Sequence, residues 1–215
     1  MNNQTSGETT YIFDMDGTIL DLHFDRYVWN HCLPSKISDK LDISFEAASV
    51  LVKNKLNPLK NTLNWYSLDY WSQQFDVDIS EIETEVAHLI KPRPGAIDYL
   101  QSLQNKGLMI LASNADPKSM NRKLSITKIA RYFDVIVSSH EIGLCKEQLQ
   151  FWRQLQIRVN FCLNKTALID DNLTVLRTAE KFGIKTLYGI KNPSSQGPSI
   201  SDPKFKLIHD FEEIN

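Results

Sequence analysis

Short apolar runs alternate with amphipathic segments from residue 92 onwards, and one further run lies near the start of the chain. The segments between the runs place apolar residues three and four positions apart, as in Ile97, Leu100 and Leu103. Apolar runs of this length are typical of buried strands, and the wider spacing is typical of amphipathic helices. The runs occur at residues 11–13, 108–112, 134–137, 166–169, 185–188 and 205–208. This alternation predicts a βαβ series, and therefore an α/β fold with a parallel sheet and right-handed crossovers.

The stretch between residues 19 and 91 has a different pattern. It lacks clear strand runs, and apolar residues recur at helical spacing, for example at Phe45, Ala48 and Val52. Pro92 and Pro94 follow it. We therefore predict an α/β core domain formed by residues 1–20 and 92–215, with an inserted helical domain at residues 21–91.

One helix of this inserted region is predicted from its start signal. Ser80 followed by Glu83 has the spacing of a capping box, in which each side chain accepts a hydrogen bond from the other residue's backbone N–H. Val86 and Ile90 continue the apolar spacing. The pattern predicts a helix that begins at Ser80 and runs through Ile90.

Aromatic residues are concentrated at residues 62–71. Trp65 can share a helix face with Leu68 and Phe75, which is typical of the core of a helical bundle. Tyr66 and Tyr70 are four positions apart and share a neighbouring face. A ring with a polar tip suits a half-wet pocket, so these two tyrosines are candidates for stacking on a planar ligand.

Composition and charge narrow the range of partners. Of the 215 residues, 42% are hydrophobic and 23% are charged, and the formal net charge is −2. These values are ordinary for soluble domains and give no attraction to polyanions, so neither nucleic acid nor a membrane surface is an expected partner. Residues 1–9 are predicted to form a polar tail without the features of a signal peptide. We expect a cytoplasmic protein that is a monomer or a weak dimer.

The cysteines and basic residues give no clear site. The cysteines are odd in number and widely spaced, which is typical of reduced thiols: Cys32, Cys145 and Cys162. Cys145 precedes Lys146, so it is either a bystander or a thiol with a lowered pKa. A basic cluster is interpreted as the solvated face of a helix and not as a binding patch: Lys118, Arg122, Lys123, Lys128 and Arg131.

Two carboxylates follow the first predicted strand. Side chains alternate along a strand, so Asp14 and Asp16 can project the same way from the point where it ends. Carboxylates so close repel each other unless a cation lies between them, and divalent cations prefer oxygen ligands. Gly17 permits the turn that follows. The alternative is a β-turn in which the aspartates only form the turn.

Other polar residues follow the later strands. Ser113 ends the second predicted strand, Lys146 follows the third by a loop, and Asp170 and Asp171 end the fourth. In open parallel sheets, ligands bind beyond the carboxyl ends of the strands, near the point where strand order reverses. We therefore expect these side chains to converge on one site.

The order of these residues resembles the four motifs of the haloacid dehalogenase superfamily, whose commonest members are Mg-dependent phosphatases. The motifs correspond to Asp14-Met15-Asp16, Ser113, Lys146 and the pair Asp170-Asp171. The resemblance implies a Rossmann-like three-layer parallel sheet, with residues 21–91 as a small helical cap over the active site. It also implies a phosphatase, because dehalogenases lack the second acidic residue and the magnesium.

The resemblance also implies roles for individual residues. Asp14 would be the nucleophile and Asp16 the general acid and base, with Lys146 and Ser113 completing the catalytic group. Mg²⁺ would be held by Asp14, the backbone carbonyl of Asp16 and Asp171, with Asp170 behind Asp171 or in its place. The phosphate would contact Thr18, Ser113, Asn114 and Lys146.

A narrower resemblance points to a substrate. The stretches at residues 20–29, 62–71, 146–152, 169–171 and 182–184 look like those of bacterial GMP/IMP 5′-nucleotidases of this superfamily, although Glu147 stands where Pro often follows the lysine. The hypothesis is hydrolysis of purine nucleoside 5′-monophosphates through a phospho-Asp14 intermediate, with Tyr66 and Tyr70 contacting the substrate. The alternatives are a phosphatase for a small sugar or glycolate phosphate, a mutase, and a non-catalytic binding module.

Overall fold

The computed structural model describes residues 9–214, and the predicted polar tail lies outside them except for Thr9. A six-stranded sheet forms the centre, with the order β3-β2-β1-β4-β5-β6 and parallel pairing throughout. This confirms the predicted α/β fold with a parallel sheet. The strands are Thr10–Phe13 (β1), Leu108–Ser113 (β2), Val135–Ser138 (β3), Thr166–Asp170 (β4), Thr186–Ile190 (β5) and Lys206–Ile208 (β6).

Both faces of the sheet are buried, which explains the apolar runs. Along β1, Ile12 packs into one hydrophobic cluster and Phe13 into the other. Ile110 and Leu111 alternate in the same way along β2. Side chains of neighbouring strand residues point to opposite faces, so a sheet covered on both sides needs apolar residues at nearly every position.

Helices cover both faces and fill the long connection between β1 and β2. In chain order they are His23–Tyr27 (α1), Leu33–Leu41 (α2), Phe45–Leu56 (α3), Leu63–Tyr66 (α4), Leu68–Phe75 (α5), Ile79–Glu85 (α6), Ala96–Ser102 (α7), Pro117–Thr127 (α8), Ser139–Ile142 (α9), Leu149–Val159 (α10) and Leu173–Phe182 (α11). A π-helical turn, Val28–Cys32, joins α1 to α2. None of the helices between residues 9 and 214 has the length and apolarity of a membrane span.

The prediction for the start of α6 is wrong. The helix begins at Ile79, and the carboxylate of Asp78 caps it by accepting a hydrogen bond from the Glu81 N–H (3.0 Å). Glu83 is only 2% exposed, and it accepts a hydrogen bond from the Ser119 hydroxyl at 2.8 Å. Glu83 therefore faces α8 and is not available to cap its own helix.

Two chain segments connect the helical region, residues 21–91, to the α/β core, and they run side by side. The Asp21 N–H donates to the Lys91 carbonyl (2.9 Å), and the Arg93 N–H donates to the Ile19 carbonyl (2.8 Å). The guanidinium of Arg93 also donates to the Thr18 carbonyl at 3.2 Å. These contacts attach the helical region directly to the loop that follows β1.

Candidate active site

The loop that follows β1, residues 14–18, lies at the carboxyl end of an inner strand of the sheet. The chain places β2 and β3 on one side of β1 and β4 to β6 on the other, so strand order reverses beside β1. The Asp14 N–H donates to the Ile169 carbonyl of β4 (3.0 Å), which fixes the start of the loop. Ser113 ends β2 and Asp170 ends β4. The structure thus brings three of the predicted motifs together at one edge of the sheet.

Three carboxylates form a tight cluster at this edge. One oxygen from each of Asp14, Asp170 and Asp171 lies within 4.8 Å of the others. Burial, together with the charges of Asp170 and Asp16, raises the pKa of Asp14 to about 7 against the opposing effect of Lys146. Burial and the charge of Asp14 also raise the pKa of Asp171 well above its ordinary value. Burial and mutual repulsion thus disfavour the ionised forms of these carboxylates, and a bound cation would stabilise them.

Lys146 is the basic residue of this cluster. Its ammonium donates hydrogen bonds to Asp14 Oδ1 and to Asp170 Oδ2, the second at 2.8 Å. Burial lowers the pKa of Lys146, but the two carboxylates raise it overall, so the side chain stays charged. Trp152 Nε1 donates to the Lys146 carbonyl at 2.8 Å. The start of α10 thereby holds the lysine in position.

The donor set fits a magnesium ion. Asp14 Oδ2 is buried and has no hydrogen-bond partner among the described residues, so the Asp14 carboxylate can bind a further group. Both oxygens of Asp170 already accept hydrogen bonds, from the Asn172 N–H (2.9 Å) and from Lys146. This favours Asp171 over Asp170 as a direct ligand. Asp171 also lies close to the loop after β1, because a Cβ on Gly17 would be 2.4 Å from Asp171 Oδ2.

The predicted phosphate-binding residues surround this cluster. Ser113 is buried, and its hydroxyl accepts a hydrogen bond from the Ala115 N–H at 3.1 Å. The side-chain oxygen of Asn114 accepts from the Lys146 N–H at 2.9 Å, which ties the second motif to the third. The Thr18 hydroxyl is buried without a hydrogen-bond partner among the described residues. The same edge of the sheet thus holds all four predicted phosphate-binding residues: Thr18, Ser113, Asn114 and Lys146.

Asp16 has a partner that sequence reasoning missed. Lys123 Nζ lies 2.8 Å from Asp16 Oδ1 and 2.6 Å from Asp25 Oδ1. Lys123 is only 1% exposed, so the interpretation of its cluster as a solvated face is wrong for this residue. The available signal was helical spacing, because Lys123 shares the buried face of α8 with Ser119 and Met120. Burial and the charge of Asp16 raise the pKa of Asp25 to about 7.

A cavity of about 570 Å³ opens above the carboxylates. Asp14 and Asp16 line its floor, and the helical region contributes Trp29, Trp65 and Tyr66 to its wall. The size suits a small organic ligand. Tryptophan rings in the wall favour a ligand with a planar end, and a cation held by the carboxylates would let the floor accept an anionic end.

The two predicted tyrosines occupy different places. The Tyr66 hydroxyl donates to Glu147 Oε1 at 2.7 Å, and the same carboxylate accepts from the side-chain amides of Asn114 (2.9 Å) and Asn172 (3.0 Å). Burial and the charge of Glu147 raise the pKa of Tyr66, so the phenol remains a donor. Tyr70 packs edge-on against Trp71, a core residue of α5, and is not among the described residues that line the cavity. The structure gives no support to Tyr70 as a ligand contact.

Cys145 is a buried thiol next to the site. Its Sγ donates to the Asn61 carbonyl at 3.0 Å. Burial and the nearby Glu147 raise its pKa to about 12, so the alternative of a lowered pKa is wrong. The thiol therefore helps to join the loop before Lys146 to the helical region, and it has no reactive character.

Comparisons with known proteins agree with this geometry. The model of the haloacid dehalogenase-like hydrolase family matches residues 9–183. The chain is 34% identical over 206 residues to the GMP/IMP nucleotidase YrfG of Escherichia coli, covering 95% of this chain and 93% of the relative. It is 22% identical over 214 residues to a phosphorylated carbohydrates phosphatase of Thermotoga maritima, covering 94% of each chain. A phosphatase of this superfamily from Thermococcus onnurineus has a similar fold, with a TM-score of 0.77, 20% identity and 93% of each chain covered.

Proposed function

Because the chain belongs to the haloacid dehalogenase-like hydrolase family and is a phosphoric monoester hydrolase, we propose that it hydrolyses purine nucleoside 5′-monophosphates. The observation that carries the proposal is the cavity, which has a carboxylate and lysine floor and two tryptophans in its wall. The relative named GMP/IMP nucleotidase supports the same substrate class. A nucleotide has an anionic end and a planar end, as this cavity requires.

In this proposal Asp14 is the nucleophile. Its Oδ2 is without a hydrogen bond among the described residues, while its Oδ1 is fixed by Lys146. One carboxylate oxygen is thus held in place and the other faces the phosphorus, where attack forms an aspartyl-phosphate. Asp14, the Asp16 carbonyl and Asp171 would hold Mg²⁺, which would supply positive charge to compensate the phosphate oxygens.

The proton transfers are assigned to Asp16. It lines the same floor as Asp14, two residues further along the loop. Asp16 protonates the 5′ oxygen as the ester bond breaks, and it then takes a proton from the water that cleaves the aspartyl-phosphate. Ser113, Asn114, Thr18 and Lys146 hold the phosphate oxygens during both steps.

Residues 21–91 act in this proposal as a cap that selects the leaving group. Trp29 and Trp65 lie on the cavity wall and offer flat surfaces for a purine. Lys60 and Asn61 also line the cavity and carry hydrogen-bond donors. Hypoxanthine and guanine share a carbonyl at C6 that adenine lacks. Donors at the wall therefore favour IMP and GMP over AMP.

A second candidate is a phosphatase for phosphorylated carbohydrates. The similarity to the Thermotoga maritima protein favours it, and the polar wall residues Asn30, Lys60 and Asn61 could bind sugar hydroxyls. This candidate uses the same floor and the same steps at Asp14 and Asp16. It differs only in the group that the wall selects.

Phosphate release from a panel of substrates tests both candidates. The panel contains GMP, IMP, AMP, glucose 6-phosphate and 2-phosphoglycolate, each with Mg²⁺ and with chelator, alongside Asp14→Asn. We expect the highest kcat/KM with GMP or IMP, and loss of activity with chelator and in the variant. Preference for the sugar phosphate would establish the second candidate. Full activity of Asp14→Asn would reject the nucleophile assignment.

A further inference from the structure

Lys123 occupies a position between two parts of the molecule. It lies on α8 of the α/β core, and its ammonium contacts Asp16 of the loop after β1 (2.8 Å) and Asp25 of α1 (2.6 Å). The ammonium also lies 5.1 Å from the centroid of the Phe24 ring. Two carboxylates and an aromatic ring thus contact the ammonium, and each contact favours its charged form.

Removing a lysine ammonium from water has a large free-energy cost unless ionised partners compensate for it. Lys123 is 1% exposed, and both of its carboxylate partners line the cavity. A fold that needed only a core contact here could use an apolar residue of the same size at lower cost. The charge of Lys123 therefore has a purpose other than packing. It can hold the carboxylate of Asp16, two residues after Asp14, in a defined orientation.

We propose that Lys123 is a positioning residue that orients the Asp16 carboxylate for proton transfer to the leaving oxygen, with Asp25 of the helical region holding the lysine in place. This inference rests on the proposed phosphatase chemistry. It links the proton transfer to the seating of the helical region, because Asp25 reaches Lys123 only when α1 lies against α8. Lys123 contacts the carboxylate that transfers the proton but neither gives nor takes a proton itself, so it acts through Asp16.

A positioning role predicts a dependence on the leaving group. A nucleoside leaves as an alkoxide, which needs a proton as the bond breaks, whereas p-nitrophenolate is stable without one. Misplacing Asp16 should therefore slow the first reaction far more than the second. A lysine that only stabilises the fold would affect both esters equally.

The test is kcat/KM of Lys123→Met with GMP and with p-nitrophenyl phosphate, since this constant reports the steps up to departure of the alcohol. We expect a loss of about 10- to 100-fold with GMP and less than about 3-fold with p-nitrophenyl phosphate. Equal losses on the two esters, or no loss on either, would overturn the inference. Wild-type protein that cleaves neither ester would instead reject the proposed function.

Two further variants keep the test interpretable. Lys118→Met is the matched control, because Lys118 lies on the same helix and also pairs with an aspartate of the helical region, Asp69 (2.5 Å), but is exposed to solvent. Its effect should stay within about 2-fold on both esters, since exposed ion pairs contribute little. The double variant Lys123→Met with Asp25→Asn removes the unpaired carboxylate in case the single variant does not fold. The double variant should show the same larger loss with GMP than with p-nitrophenyl phosphate. Equal losses on the two esters would also overturn the inference.

Discussion

Two buried lysines contact the loop after β1, and each bridges two carboxylates. Lys146 contacts Asp14 and Asp170, and Lys123 contacts Asp16 and Asp25. The exposed fraction is 2% for Lys146 and 1% for Lys123. The two arrangements look alike locally, but they differ in where their partners come from.

Both partners of Lys146 lie at the carboxyl ends of sheet strands. Asp14 follows β1 and Asp170 ends β4, and the register of these neighbouring strands pairs Phe13 with Ile169. The partners of Lys123 come from two parts of the chain, because Asp25 belongs to the helical region. The ion-pair partners of the first lysine therefore come from the α/β core alone. The second depends on how the helical region packs on that core.

The comparison is tested most severely by Lys146→Met. In the proposed mechanism this change removes the cation that offsets the charge of the phosphate and of Asp14, and it leaves two buried carboxylates uncompensated. We expect kcat/KM to fall by at least about 10³-fold on both GMP and p-nitrophenyl phosphate. Steady-state kinetics on the two esters provides the measurement.

The pattern across esters matters as much as the size of the loss. In the proposed mechanism Lys146 contacts the phosphate that both esters share. The fall in kcat/KM of Lys146→Met should therefore be the same for both esters, whereas that of Lys123→Met should be larger with GMP. Circular dichroism is the control that checks whether the variant is folded. A loss of less than about 10-fold in folded protein would remove Lys146 from the proposed catalytic group.

Gly17→Ala tests the loop that both lysines contact. Gly17 has φ of +86°, and a Cβ there would be 2.4 Å from Asp171 Oδ2 and 3.1 Å from the Pro193 Cβ. Asp171 must move, so we expect activity to fall about 10- to 100-fold and the Mg²⁺ concentration for half-maximal activity to rise. A magnesium titration of phosphate release measures both effects.

Gly143→Ala is the matched control for backbone strain. Gly143 has a similar φ of +78°, but a Cβ there would meet nothing within 4 Å in the described part of the chain. The Gly143→Ala variant should lose about 1 kcal/mol in the free energy of unfolding, because alanine is strained at positive φ. Its dependence on magnesium should stay that of the wild type. Equal magnesium dependence of the two variants would show that the close approach of Gly17 to Asp171 is unimportant.

The sequence predicted one of the two lysines and missed the other. Lys146 follows a strand in the order that the other motifs establish, so local pattern was enough to place it. Lys123 lies within a basic stretch, and its partner Asp25 is 98 residues earlier in the chain. Distance along the chain is not the reason, because Lys146 and Asp14 are 132 residues apart. Lys146 belongs to a set of residues that all follow strands of one sheet, whereas only the packing of α1 on α8 joins Asp25 to Lys123.

The same limit applies to the cavity wall. The aromatic stretch at residues 62–71 pointed to the region that covers the site, but it did not say which ring faces inward. Tyr66 reaches Glu147, 81 residues away, whereas Tyr70 lies against Trp71. The break between α4 and α5 at Ser67 changes the faces that a continuous helix would present. Helical spacing alone could not predict this break.

Tyr66→Phe is the mildest change, and it tests the contact of the helical region with the core on the side of Lys146. It removes the hydroxyl that donates to Glu147 and keeps the ring, while the amides of Asn114 and Asn172 still bind the carboxylate. We expect a loss of about 1 kcal/mol in the free energy of unfolding and an increase in KM of about 2- to 5-fold, with kcat little changed.

Tyr70→Phe, in the next helix, is the matched control for Tyr66→Phe, because Tyr70 does not line the cavity in the described structure. Denaturant unfolding and GMP kinetics on both variants give the comparison. If Tyr66→Phe lowers kcat as strongly as it raises KM, the hydroxyl takes part in the chemistry and not only in seating the helical region. The contrast drawn above, in which the core carries out the chemistry and the helical region only packs on it, would then not hold for Tyr66. A residue of the helical region would be taking part in the reaction itself.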